Sequence, residues 1–259
     1  MSVWEIIAIF LAGMAAGTIN TIVGSGSLIS FPTLLAFGYP AVGANISNNI
    51  GMVFGGVSGT LGYRAELAGQ GSHIRVLVPA SVLGSVTGAL LLLRLPAAAF
   101  KAIVPVLIVV ALVLVIAQPR MQPALARRRE RAQAESGSES RGHSAVTVVG
   151  IYASGVYGGY FGAAQGVLLV GLLGSLLPES LQRVNALKNL LALTANSVAA
   201  VVFMLVAWDR IYWGAVLLLA VGATLGGVIG ARVGRRLPPA ILRAVIVVVG
   251  LAAIVRLLA

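Results

Sequence analysis

Three sets of side chains in this chain could do chemistry. Gly24-Ser25-Gly26-Ser27 combines two hydroxyls with free backbone N–H groups at a point where an apolar helical pattern breaks. Asn45, Asn48 and Asn49 place three amides at i, i+3 and i+4, and Asn185, Lys188 and Asn189 repeat the spacing. That spacing puts each set on one helix face, leaving Ile46, Ile50 or Leu187 for lipid or protein. Gln165 adds an amide beside a second break, Gly162-Ala163-Ala164-Gln165-Gly166. The chemistry is recognition of an anion. A helix N-terminus offers unpaired N–H donors and the positive end of a dipole, and Lys188 supplies charge. Each set also has a plainer reading. The glycines permit close helix packing, the Asn side chains cap or bridge helices, and Lys188 snorkels to an interface.

What is missing narrows the chemistry. None of the seven acids falls inside an apolar segment, and the two histidines, His73 and His143, lie in or beside loops. There is no cysteine, no metal-ligand cluster, no Ser/His/Asp set and no feature that calls for a cofactor. An enzyme, a metal transporter and a carboxylate-relay pump are disfavoured.

The elements that must hold these residues are membrane helices. The mean hydropathy is +1.00, and 59% of the residues are hydrophobic against 10% charged. A soluble domain has about a quarter of its residues charged. The net charge of +11 comes from Arg in loops, where the positive-inside rule places it, so nucleic acid is not the expected partner. The N-terminus, Met1-Ser2-Val3-Trp4-Glu5, lacks the marks of a cleaved signal peptide. Apolar segments run at about 3–23, 27–38, 45–63, 74–93 and 99–117, then 145–161, 165–177, 187–207, 211–231 and 240–258. The second segment of each set falls short of the roughly 20 residues a span needs. The expected organisation is a first membrane repeat (1–117), a cytoplasmic, flexible Arg-rich linker (118–144) and a second membrane repeat (145–259).

The halves repeat in order. Gly17, Gly24 and Gly26 correspond to Gly155, Gly162 and Ala164, and Asn45-x-x-Asn48-Asn49 to Asn185-x-x-Lys188-Asn189, with Pro40 and Pro178 between. Charge then selects a topology. If 3–38 and 145–177 each return to their starting side, fourteen of the eighteen basic residues share the linker's side. Only Arg94, Lys101, Arg210 and Arg256 face the other way. Single broken spans would divide them ten to eight, so the bias favours hairpins. Each half then crosses an odd number of times. The expectation is an all-α polytopic membrane protein of two inverted repeats, about five helical segments each, opening with a Gly-broken hairpin. Interrupted segments at matching places in inverted repeats point to a secondary transporter with a midplane site.

The order Gly13-x3-Gly17-x2-Asn20-x3-Gly24-Ser25-Gly26-Ser27, then Pro32-x-Leu34 and Gly38-Tyr39-Pro40, resembles the sulfite exporter TauE/SafE family of membrane permeases. Ala44-Asn45 to Asn49 and Val184-Asn185 to Asn189 look like that family's second-helix motif. The resemblance spans nearly the whole chain. It implies a carrier of small sulfur-containing anions, such as sulfite or an organosulfonate, in the inner membrane. The substrate-binding set would be Asn20, Gly24, Ser25, Gly26, Ser27, Asn45, Asn48, Asn49, Gln165, Asn185, Lys188 and Asn189. Departures are Ser25 and Ser27 flanking Gly26, where the family usually has three glycines, and Ala163-Ala164 in the second half. The expected partners are a small anion and membrane lipid, with self-association left open. The alternative is an accessory membrane subunit that binds a partner through its Arg-rich linker.

Overall fold

The computed structural model describes residues 1–135, 145–177, 179–233, 244, 246–249 and 251, with the backbone alone for 118–135 and 233. Pro178, linker residues 136–144 and most of the expected tenth segment, 240–258, lie outside the described residues. Among the described residues all regular structure is helical: α1 (Val3–Ile22), α2 (Ser27–Ala36), α3 (Ala41–Gly62), α4 (Gly71–Arg94), α5 (Ala97–Glu135), α6 (Ala145–Tyr160), α7 (Gln165–Leu176), α8 (Leu181–Val206) and α9 (Trp213–Val233). Helices α1, α4, α5 over Ala97–Ala117, α8 and α9 are long and apolar enough to cross a membrane. Helix α3 is as long, but its amides and glycines dilute its hydropathy.

Three boundaries differ from expectation, each for a local reason. Helix α3 starts at Ala41, directly after Pro40, whose ring favours a helix start. Helix α8 starts at Leu181 because Ser180 caps it, accepting a hydrogen bond from the Arg183 N–H. The two polar triads therefore lie one to two turns inside their helices, not where a span begins. The first part of the expected linker is helical. Helix α5 continues to Glu135, because Ala, Arg, Gln, Glu and Met are strong helix formers and carry the pattern past Pro119 and Pro123.

Small residues set the packing, as expected where lipid removes the hydrophobic drive between helices. Helix α1 lies on α9, with Gly13 against Leu219 and Gly17 against Ala223. Helix α3 lies on the same helix, with Gly51 against Leu219 and Gly55 against Ala223. Residue numbers rise together along both seams, so α1, α3 and α9 are parallel. Helix α4 meets α6 at Gly84–Tyr152 and Gly88–Val156. It meets α8 where Ser81 Oγ donates to Leu191 O and Ser85 Oγ to Ala195 O. These three helices are again mutually parallel. The two groups run in opposite directions, since Asn49 meets Asn196 while Gly56 meets Leu193 on α8.

The molecule accordingly has two faces. Helices α1, α3 and α9 start on the first face, where Trp4, Trp208 and Trp213 are all exposed, as aromatic residues at a membrane interface are. Helices α4, α6 and α8 start on the second face, which carries Arg64, Arg75, Arg183 and Arg232. The buried core that joins the groups includes Phe31, Phe100, Phe161 and Phe203, with Phe31 and Phe161 edge to face at 5.4 Å.

Candidate functional site

Helix α1 stops at Ile22, and the chain turns through Gly24, whose φ of +86° is open to glycine at little steric cost. Helix α2 then runs back, and Tyr39 beyond it donates to Glu5 Oε1 at 2.6 Å, next to the start of α1. The second half does the same. Helix α6 stops at Tyr160, the chain turns through Gly162 at φ +76°, and α7 leaves after Ala164, a left-handed non-glycine residue. At 10 and 12 residues, α2 and α7 extend about 15 and 18 Å. Both are too short to cross a hydrocarbon core of about 30 Å.

The two breaks touch. The Gly166 N–H donates to Gly24 O at 3.0 Å, and a Cβ on Gly24 would come 2.4 Å from the Gly166 Cα. No other residue type fits on either side of this crossing.

Each half also reaches across to the other's break. From α8, Lys188 Nζ donates to Asn20 O at 3.2 Å and Thr21 O at 3.1 Å, carbonyls of the last turn of α1. From α3, Asn45 Nδ2 donates to Tyr160 O at 3.0 Å, the end of α6. A cation at a helix C-terminus meets the negative end of the dipole, so Lys188 is held at the entrance to the first break. It is 1% exposed, which overturns the snorkelling alternative: its ammonium stays inside the protein.

Beyond Lys188 the break is rich in unused donors. Among the described residues, the backbone N–H groups of Ser25, Gly26 and Ser27 have no acceptor within the protein, nor does the Ser25 hydroxyl have a partner. Buried orphan N–H groups are rare in folded proteins. At the second break the N–H groups of Ala163 and Ala164 are also unpaired, but Gly166 is committed to Gly24 and, among the described residues, no cation of the first half is placed there. The two breaks are alike in shape and unequal in charge.

The remaining expected site residues divide. Asn48 Oδ1, Asn49 Oδ1 and Asn189 Nδ2 are buried without partners, and Asn49 Nδ2 donates to Asn196 Oδ1 at 3.2 Å. Asn20, Ser27 and Asn185 are half-buried, and Asn20 serves through its carbonyl. Gln165 is tied within its own half, donating to Ser154 O at 3.0 Å. Two residues escaped the sequence reading. Asn196 lies seven residues after Asn189 and so on the same helix stripe, a signal that was there to be read. Tyr160, whose buried hydroxyl lacks a partner, corresponds to Ile22 in the first half, so the repeat gave no hint of it. A cavity of about 600 Å³ between α3, α8 and α9 lies apart from the breaks, lined by apolar groups such as Phe54, Val201 and Leu217, and has nothing to offer an anion.

A family model described as Sulfite exporter TauE/SafE matches residues 9–257. The chain belongs to the sulfite exporter TauE/SafE family. It is similar to the Probable membrane transporter protein YfcA of Escherichia coli K12, at 25% identity over 93% of this chain and 85% of the relative. A Probable membrane transporter protein ORF9 of Sinorhizobium sp is 27% identical over 97% of this chain and 91% of that protein. A Probable membrane transporter protein of Haemophilus influenzae is 25% identical over 93% and 89%. No solved structure matches. The protein is a multi-pass membrane transporter of the TauE/SafE family and not an enzyme.

Proposed function

We propose that this transporter carries a small oxyanion, sulfite or an organosulfonate, by alternating access at a site built on the first break. One observation carries the reading: the buried ammonium of Lys188 reaches the break that presents the unpaired N–H groups of Ser25, Gly26 and Ser27. A sulfonate or sulfite has three oxygens to receive them. The Ser25 hydroxyl and the Asn48, Asn49 and Asn189 amides complete the polar wall, and the positive end of α2 adds to the field. Sulfur enters through the family description.

The two halves are read as inverted repeats, each opening with a Gly-broken hairpin. The packing supports this. An offset of 138 takes α1 to α6 and one of 142 takes α4 to α9, so the seam Gly17–Ala223 becomes Gly155–Ser81 and Gly226–Met14 becomes Gly84–Tyr152, all close contacts. The equivalent helices run in opposite directions, the arrangement in which rocking of one group against the other exposes a central site alternately. Positive-inside counting puts the second face in the cytoplasm.

Proteoliposome flux of sulfite, sulfoacetate and taurine, with sulfate and acetate as controls, tests the proposal. Lys188→Met is expected to abolish flux. Ser25→Ala, which leaves the α1 end untouched, is expected to lower it about tenfold, the worth of one hydrogen bond to a charged group. Full flux of a sulfur oxyanion through Lys188→Met would sink the site.

A further inference from the structure

Both faces are closed by contacts between the two halves, and these contacts occupy equivalent positions. On the second face, Glu179 and Arg183 lead into α8. The Arg183 Nε donates to Glu179 Oε2, its Nη1 donates to Ala68 O at 2.9 Å, and His73 Nε2 lies 3.3 Å from Glu179 Oε1. Gln70, fully buried, donates to Glu66 O at 2.8 Å and to Arg183 O at 3.0 Å. The chain leading into α8 is thereby bound to the first half's α3–α4 loop.

On the first face, Tyr39 and Gly43 flank the start of α3. The Tyr39 ring stands edge-on to Tyr212 at 4.8 Å, and the Tyr212 N–H donates to Ser47 Oγ at 2.9 Å. A Cβ on Gly43 would come 2.6 Å from the Tyr212 ring. The chain leading into α3 is bound to the second half's α8–α9 loop. The repeat offset of 140 takes Tyr39 to Glu179 and Gly43 to Arg183, and that of 142 takes Gln70 to Tyr212. The two clasps lie at opposite ends of α3, which is about 33 Å long.

We propose that these clasps are the two gates of the transport cycle: Glu179, Arg183, His73 and Gln70 on the second face, and Tyr39 and Tyr212 on the first. The inference rests on the alternating-access reading above. Both gates are shut here, so the form described is the occluded one, and opening either exposes the breaks to that side alone. The gates differ in material. One is an ion pair with hydrogen bonds; the other is an aromatic contact anchored by Glu5.

The chain has no cysteine, so Ser25→Cys gives a single thiol at the first break. A membrane-impermeant thiol reagent is applied to either side of vesicles holding the full chain in known orientation. Adding Glu179→Gln is expected to raise labelling from the second face alone, by about tenfold for a lost charge-assisted hydrogen bond. Adding Tyr212→Ala is expected to do so from the first face alone. The carboxylate-keeping Glu179→Asp, which retains the acid that pairs with Arg183 and faces His73, and the ring-keeping Tyr212→Phe, are expected to return labelling to the parent rate, which separates gate opening from misfolding. Unchanged labelling in both opening variants, labelling from both sides in either, or a Glu179→Asp variant that stays as open as Glu179→Gln would overturn the gates. Anion flux in the wild-type chain, with Ser25 intact, is measured alongside and keeps the two ideas apart. Side-specific opening in a protein that carries no anion leaves the gates and removes the substrate reading, whereas flux with unaltered labelling does the opposite.

Discussion

Lys188 is both a cap for α1 and the one basic side chain that the described residues place at a break. These roles can be separated. Met in its place keeps the apolar stem but leaves Asn20 O and Thr21 O without their donor, a loss of about 1–3 kcal/mol per unpaired buried group. A lower Tm is therefore expected together with lost flux, while Ser25→Ala loses flux without that drop. The glycines divide in the same way. Gly24→Ala would push a Cβ to 2.4 Å from the Gly166 Cα and hold it at φ +86°, combining overpacking with backbone strain, at least about 3 kcal/mol together. Gly38 shares the φ of +86° but a Cβ there meets nothing within 4 Å. Its Ala variant is expected to cost only the strain, about 1–2 kcal/mol, and to transport normally. Thermal unfolding in detergent reads both. Burial and the Glu5 carboxylate push the Tyr39 hydroxyl up to about 12. Its raised value means the native state keeps the proton longer than the unfolded chain. Stability from this group is thus full below pH 10 and is lost between about 10 and 12. A Tyr39→Phe variant should show a flatter unfolding profile over that window.

At the scale of elements, the seams between helices decide stability. A Cβ on Gly88 would lie 2.0 Å from Val156 O, and one on Gly226 2.0 Å from Met14 O, both backbone atoms of a packed neighbour. Neither can yield cheaply. Gly88→Ala and Gly226→Ala are expected to destabilise by about 1–3 kcal/mol each, despite the better helix propensity of alanine. Gly71, at the start of α4 with nothing within 4 Å, is the control, and Gly71→Ala should leave the Tm unchanged. The short helices α2 and α7 follow another logic. They carry little span-forming length, and their place is set by Gly24 and Gly166 holding the two breaks together.

For the whole molecule, the proposal is that the two parallel groups of three helices set equivalent elements facing opposite sides of the bilayer. The topology proposal is tested directly in the cysteine-free background. A Cys at Asp209, exposed on the first face, should react from outside only, and one at Ala65, exposed on the second, from inside only. Reaction of both from one side would reject the inverted arrangement. The halves also contribute unequally. The second half brings Lys188 to the first half's break, while Asn45, the first half's counterpart of Asn185, brings an amide to the second's. The charge thus comes from one half and the donors it faces from the other.

Much of this was legible in the chain. Hydropathy and helical spacing depend on near neighbours, so the apolar segments behind the nine helices of the described residues could be read before any contact was known. The family followed from the ordered glycines and amides. The length of α5 could have been read too, since its continuation rests on local helix formers that a polar, charged composition disguised. Only the tertiary structure decided where the polar groups go. Whether Lys188 reaches an interface or a buried helix end depends on α1, more than 160 residues earlier, and no local pattern encodes that distance. The unpaired hydroxyl of Tyr160 and the meeting of Gly24 with Gly166 have the same cause. A hydrogen bond is directional and short, so which donor remains free for a ligand is settled only when distant helices have packed.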